Sequence, residues 1–246
     1  MPRRRNTRPF RGGEEVKFSS LLTSINVYDG DLFRNIKSAR ESIDCYDDLG
    51  NDAFDTAVAV DAEMRGHVDS HAPIITRPFD YGTVISYSFD AAHWQDSRFS
   101  DGMRFGVWYG SEDLETTIFE TVHRWRRFVL DSFSEDKLIV GERRIYRVRC
   151  QGILIDLVDK DAEFPALRDP NDYGFTQQIG AYLVNQGQNG LRVRSARCDG
   201  INAAIFRASV LSNPRDFCYL SYLWNPSKGN TVRVERERGQ ILLEIG

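Results

Sequence analysis

Leu114, Ile118, Val122, Trp125 and Val129 recur at three- and four-residue steps, the spacing of one buried face of an α-helix. Ser111 stands ahead of an acidic first turn, Glu112, Asp113 and Glu115. It suits an N-cap, and the acids suit the positive end of the helix dipole. Upstream, Leu32, Phe33, Ile36, Ala39, Ile43 and Tyr46 repeat in a similar way and predict a helix over 31–48, stopped by Gly50. The Ala-, Val- and Asp-rich stretch 52–67 predicts a second helix, and Ala72-Pro73 separates this helical region from strand-like segments. Apolar and β-branched runs predict those strands over 83–89, 106–109, 144–150 and 153–158. A helix over 173–185 ending at Gly187 comes next, with strands over 191–193, 203–207, 231–236 and 240–245. This order lacks the regular alternation of a doubly wound sheet and predicts an α+β fold, a mixed β-sheet core with flanking helices. Trp94, Trp125 and Trp224 read as core aromatics, and Trp108, next to Tyr109 on a strand, as pointing to the opposite face.

Composition narrows the class. With 246 residues, 41% of them hydrophobic, the chain can bury one substantial core. Its four cysteines form no CxxC pair and read as reduced thiols of a cytoplasmic protein. No apolar run approaches a membrane span, and the charged N-terminus has no apolar stretch that would make it a secretory signal. The net charge of −4 is unevenly placed. Residues 1–11 carry five arginines and no acid, which leaves 27 basic against 36 acidic residues elsewhere. An acidic body argues against direct nucleic-acid binding, and the arginine-rich arm reads as a solvated tail.

The chemistry concentrates over 98–120. Arg98, Tyr109 and Glu120 stand eleven residues apart and combine a fixed cation, a polar aromatic and a carboxylate in a loop, a short strand and a helix. Such groups can hold an anion, stack on a flat ring and stabilise a developing positive charge. Periodicity alone puts Glu120 nearly opposite Ile118, beside Thr116, His123 and Arg127, on the face where helical glutamates are usually solvated. Other motifs fail. His67 and His71 have a metal-like interval but no third ligand nearby, so no metal site is expected. There is no GxGxxG, Walker loop or GxSxG elbow.

Taken together, these residues resemble the RES domain, named for its Arg, Glu and Ser. The resemblance rests on Arg98-Phe99, the Phe105-Gly106-Val107-x-Tyr109 strand and the Thr116-x-x-x-Glu120 helix. A second block is similar to the family's ending: Thr176-Gln177-Gln178-Ile179-Gly180, then Gly190-Leu191-Arg192-Val193-Arg194-Ser195-Ala196-Arg197, then Asn202 before an apolar strand. Arg194 replaces the family's usual proline. Thr76-Arg77-Pro78-Phe79 adds a weaker element. The match covers roughly residues 73–210, which divides the chain into an arm and helical extension over 1–72 and a RES-like catalytic domain over 73–246.

The resemblance implies a fold like that of ADP-ribosyltransferases and a bacterial toxin that destroys NAD⁺ at the nicotinamide–ribose bond, by phosphorolysis or hydrolysis. It implies NAD⁺ as substrate rather than cofactor, with inorganic phosphate as a candidate co-substrate, and a helix-turn-helix (Xre-like) antitoxin as partner. It assigns Glu120, Arg98, Tyr109 and Ser195 to catalysis, and Arg77, Arg98, Tyr109, Ser195 and Asn202 to substrate. Glu120 would stabilise an oxocarbenium-like state; Arg98 and Arg77 would meet phosphate. Arg104 and Arg197 are expected to be solvated or structural. Two other readings remain open: an ADP-ribosyltransferase acting on a macromolecular acceptor, and a non-catalytic interaction protein. So do the role of 1–72 and a homodimer.

Overall fold

The computed structural model describes residues 21–37, 83–132 and 137–246. Among them eight strands form one mixed sheet: β1 (Ile25–Lys37), β2 (Trp108–Ser111), β3 (Ile139–Asp156), β4 (Gly190–Arg194), β5 (Ile201–Ile205), β6 (Leu211–Trp224), β7 (Val232–Glu237) and β8 (Gln240–Ile245). The order is β1-β2-β5-β4-β3-β6-β7-β8, and β1 also pairs with β3, closing the first five strands of that order into a ring. All pairs are antiparallel except β3 with β4. Among the described residues three α-helices accompany the sheet: the single turn α1 (Thr83–Ser86), α2 (Leu114–Ser132) and α3 (Gly174–Asn185). The architecture is α+β.

The apolar stripe of α2 explains its position. Ile118, Val122, Trp125 and Val129 are buried against Ile145, Leu220, Tyr222, Trp224, Val232 and Val234 of β3, β6 and β7. Each such side chain contributes roughly 1.5–3 kcal/mol on leaving water. A second cluster, built on Leu32, Trp108, Val148, Leu154 and Ile205, fills the space under α1. A third packs α3 through Ile179 and Leu183 against Leu157, Leu191 and Val193.

Two expectations are corrected. Residues 31–37 are strand, not helix: every residue of β1 pairs antiparallel with β3. Tyr28, Leu32 and Ile36 pack on one cluster at four-residue spacing, which satisfies a strand's period of two as well as a helix's 3.6. The long ladder with β3 decides between them. The remainder of the expected helical extension, from 38 to 67, lies outside the described residues. The stretch 83–89 is α1 followed by a 3₁₀ turn over Tyr87–Phe89, not a strand. Val84, Ile85 and Phe89 all reach the second cluster, and the carbonyl of Val84 accepts from Trp108 Nε1 at 2.9 Å. The expected strands over 144–150 and 153–158 are parts of one strand, β3. Strand β6 was not foreseen. Asn213, at φ 47°, and Pro214 interrupt its pattern at an irregularity opposite Val148, and turn residues of this kind hide a strand.

Candidate active site

Glu120 lies midway along α2 and does not sit on a solvated face. Its Oε1 accepts from Ser195 Oγ at 2.6 Å and from Asn202 Nδ2 at 2.7 Å. Asn202 is fixed in turn by Ser111 Oγ, which donates to its Oδ1 at 2.7 Å. Glu120 Oε2 accepts no hydrogen bond from the described residues. The side chain lines a cleft of about 210 Å³ together with Arg34, Arg98, Tyr109, Arg124 and Arg143.

Ser195, with no exposed surface, stands behind the carboxylate. Its hydroxyl donates to Glu120 and accepts from the backbone N–H groups of Arg197 and Cys198 at 2.9 and 3.3 Å. That commits the hydroxyl to shaping the turn and orienting Glu120. Arg168 holds the same turn from outside, donating through Nε to Ser195 O at 3.0 Å and through Nη2 to Cys198 O at 3.2 Å. Gly200 closes it against α2, because a Cβ there would lie 1.6 Å from Thr116 Oγ1.

Tyr109 brings its ring to the cleft, but its hydroxyl is occupied. It donates to Ser97 Oγ at 3.0 Å and accepts from Phe99 N at 2.9 Å. Burial pushes the phenol above its usual pKa. The hydroxyl therefore anchors the loop that carries Arg98. Arg98 donates to Leu167 O at 2.8 Å and lies over the Tyr173 ring, 5.2 Å from its centroid. α3 clamps this loop: Thr176 Oγ1 donates to Arg98 O at 2.5 Å, and Gln177 Nε2 to Ser97 O at 2.9 Å. Gly180 allows the approach, since a Cβ there would lie 2.0 Å from Phe99 O. The Thr-Gln-x-Ile-Gly block is thus the device that sets Arg98.

Arg34, Arg124 and Arg143 were not singled out in the sequence. Arg34 donates to Tyr109 O at 2.7 Å and Ser88 Oγ at 2.9 Å and lies over Trp108. Burial, reinforced by Arg124, pulls its pKa down to about 10. Burial lowers Arg143 too, and Arg124 adds to that. The Nε atoms of Arg34 and Arg143 are buried without a hydrogen-bond partner among the described residues, and no ion pair links Arg34, Arg124 or Arg143 to a carboxylate there. Arg34 and Arg143 are partly buried guanidinium groups with no carboxylate to balance their charge among the described residues, a costly arrangement, so this wall suits an anion. Their sequence surroundings gave little signal: Arg34 stands between Phe33 and Asn35 in a stretch that also holds Asp29, Asp31 and Lys37.

Arg77 lies outside the described residues, as do His67 and His71. Arg104 is paired with Asp101 at 3.0 Å on the surface; Arg197 donates to Pro170 O at 2.7 Å and to the hydroxyl of cleft-lining Tyr173 at 3.5 Å. Trp125, Trp224 and Trp108 are buried as expected, whereas Trp94 is half-buried and lines a smaller hollow next to the cleft. Among the described residues no cluster of His, Cys, Asp or Glu could hold a metal ion, and no helix is long and apolar enough to cross a membrane.

Fold and cleft together define an α+β protein with an oriented carboxylate in a cleft that four arginines help to line. A profile of the RES domain matches residues 68–225, and the chain belongs to that family. Comparison with curated proteins gives no match. Among solved structures, the chain is similar to one in the crystal structure of the M. tuberculosis MbcT–MbcA toxin–antitoxin complex. That match has 9% identity and a TM-score of 0.42, over 83% of this chain and 88% of that one.

Proposed function

We propose that the protein degrades NAD⁺ by cleaving the nicotinamide–ribose bond, as the toxin of a toxin–antitoxin pair. The observation that carries this reading is Glu120, held by Ser195 and Asn202 in a cleft whose other charged lining residues are all arginines. Membership of the RES family supports it.

In the reaction the C1′–N bond breaks and its electron pair returns to the nicotinamide ring nitrogen. The ribose is left with oxocarbenium character, which the Glu120 carboxylate stabilises electrostatically. Arg98 and the Arg34 side of the cleft take the pyrophosphate, where guanidinium groups match phosphate geometry. The Tyr109 ring forms a flat wall. Ser195 and Asn202 act through Glu120, holding one oxygen so that the other meets the ribose. Water or inorganic phosphate then adds to C1′. Such an enzyme depletes its own cell of NAD⁺, so it requires restraint in the cytoplasm, which a DNA-binding antitoxin covering the cleft would supply.

Incubation with NAD⁺ tests this. Free nicotinamide with unmodified protein is expected, and ADP-ribose or its 1″-phosphate, with phosphate omitted or added, identifies the acceptor. Label appearing on protein would select ADP-ribosyl transfer instead. No nicotinamide release would overturn the reading.

A further inference from the structure

The cleft continues past Tyr109. A hollow of about 100 Å³ shares Arg34, Tyr109 and Arg124 with it, and Tyr87, His93 and Trp94 add an aromatic wall. These three rings belong to none of the core clusters. The Tyr87 and His93 rings lie 3.9 Å apart, and Tyr87 is 51% exposed. Trp94 is held by its Nε1 donating to Phe89 O at 3.3 Å and by Gly106, where a Cβ would come within 2.7 Å of the indole. Rings gathered beside a cationic wall, outside the core clusters, match the way proteins seat a nucleobase: stacking for the base, guanidinium for its phosphate.

Resting on the reading above, we propose that this hollow seats the adenine of the dinucleotide. The direction follows from Glu120. The scissile ribose must lie against that carboxylate, which lines the larger cleft and not the hollow. Arg34 and Arg124 line both, so the pyrophosphate crosses between the two compartments there. The base at its other end then reaches Tyr87, His93 and Trp94. The substrate class is accordingly a dinucleotide, not a nicotinamide mononucleotide.

The test compares kcat/KM for NAD⁺ and for nicotinamide mononucleotide, which keeps the scissile bond but lacks adenosine. The wild-type chain is expected to favour NAD⁺ by about tenfold or more. Tyr87→Ala and Trp94→Ala should each cut that ratio about 5- to 100-fold, the range for losing one base-stacking ring, mainly through the KM for NAD⁺. Trp94→Phe should restore most of it. If Trp94→Ala fails to fold, exposed Tyr87 decides the matter. An unchanged ratio in folded Tyr87→Ala overturns the seat, as does a wild type without preference, while NAD⁺ cleavage itself would still stand. If neither compound is cleaved, the reading of the reaction falls, and calorimetry with ADP-ribose judges the seat alone. Binding about fivefold or more weaker in Tyr87→Ala supports it, and equal binding overturns it.

Discussion

The Ser195 hydroxyl donates to Glu120 Oε1 across 2.6 Å, tying the turn after β4 to the middle of α2. Asn202, at the start of β5, holds the same oxygen. A carboxylate that could have pointed into solvent is thereby turned inward and fixed before any ligand arrives. Replacing it by its isosteric amide should leave the fold intact, because an amide oxygen accepts the same two bonds. Glu120→Gln is expected to melt within a few degrees of wild type and to release nicotinamide about 10²-fold or more slowly, the scale of one transition-state electrostatic contact. Undiminished turnover would refute the role assigned to Glu120.

Ser195→Ala removes one of the two anchors and leaves Asn202. A hydrogen bond to a charged group contributes about 1.5–3 kcal/mol, so kcat should fall roughly tenfold to a hundredfold with little change in KM. Added to Glu120→Gln, the same substitution should cost much less, because the two residues act as a unit. Full additivity in that double-mutant cycle would separate Ser195 from Glu120.

Arg98 combines a bond to Leu167 O with a face against Tyr173. Arg98→Lys keeps the charge but loses both the planar stack and the fork that matches phosphate. Titration calorimetry is expected to show NAD⁺ binding about tenfold weaker. Equal affinity would place the pyrophosphate elsewhere in the cleft.

Gly180 is a packing prediction. Alanine there drives a methyl group to 2.0 Å from the Phe99 carbonyl, and overpacking of this kind costs about 1–3 kcal/mol or more. A drop of several degrees in Tm should accompany a larger loss of activity, since the displaced loop carries Arg98. A normal melt with normal turnover would show that α3 does not set the loop.

Cys150 gives a dependence on pH. Burial in the second core cluster pushes its thiol up to about 12, above the ordinary value near 9. The folded state therefore holds this proton more tightly than the unfolded chain. The associated stability is complete below about pH 9 and is lost as pH rises towards 12. Thermal melts at pH 7 and pH 10 should show a smaller loss in Cys150→Val than in wild type, and alkylation at pH 8 should spare Cys150 until the protein unfolds.

Local pattern was enough to recognise α2, α3 and the late strands, because their apolar residues repeat over one clean period and end at residues such as Gly187, which adopts φ 71°. It also put forward Glu120, Ser195 and Asn202, whose types and order follow the family motif, and the fold brings these three side chains together. It was not enough for the Ser195 and Tyr109 hydroxyls, whose partners come from distant segments and leave them supporting the site from behind.

What the sequence determined by itself was the α+β class and the family, both of which reside in short-range order and spacing. Tertiary structure alone decided that β1 is a strand, since Tyr28, Leu32 and Ile36 fit both periods and only the ladder with β3 distinguishes them. It also decided which way Glu120 faces: helical periodicity assigns a residue to a side of the helix, whereas the bonds from Ser195 and Asn202 decide whether that side meets water or a cleft. The arginine wall belongs to the same category. Arg34, Arg124 and Arg143 come from β1, α2 and β3, far apart along the chain, and only the closed ring of strands with α2 packed beside it makes them neighbours.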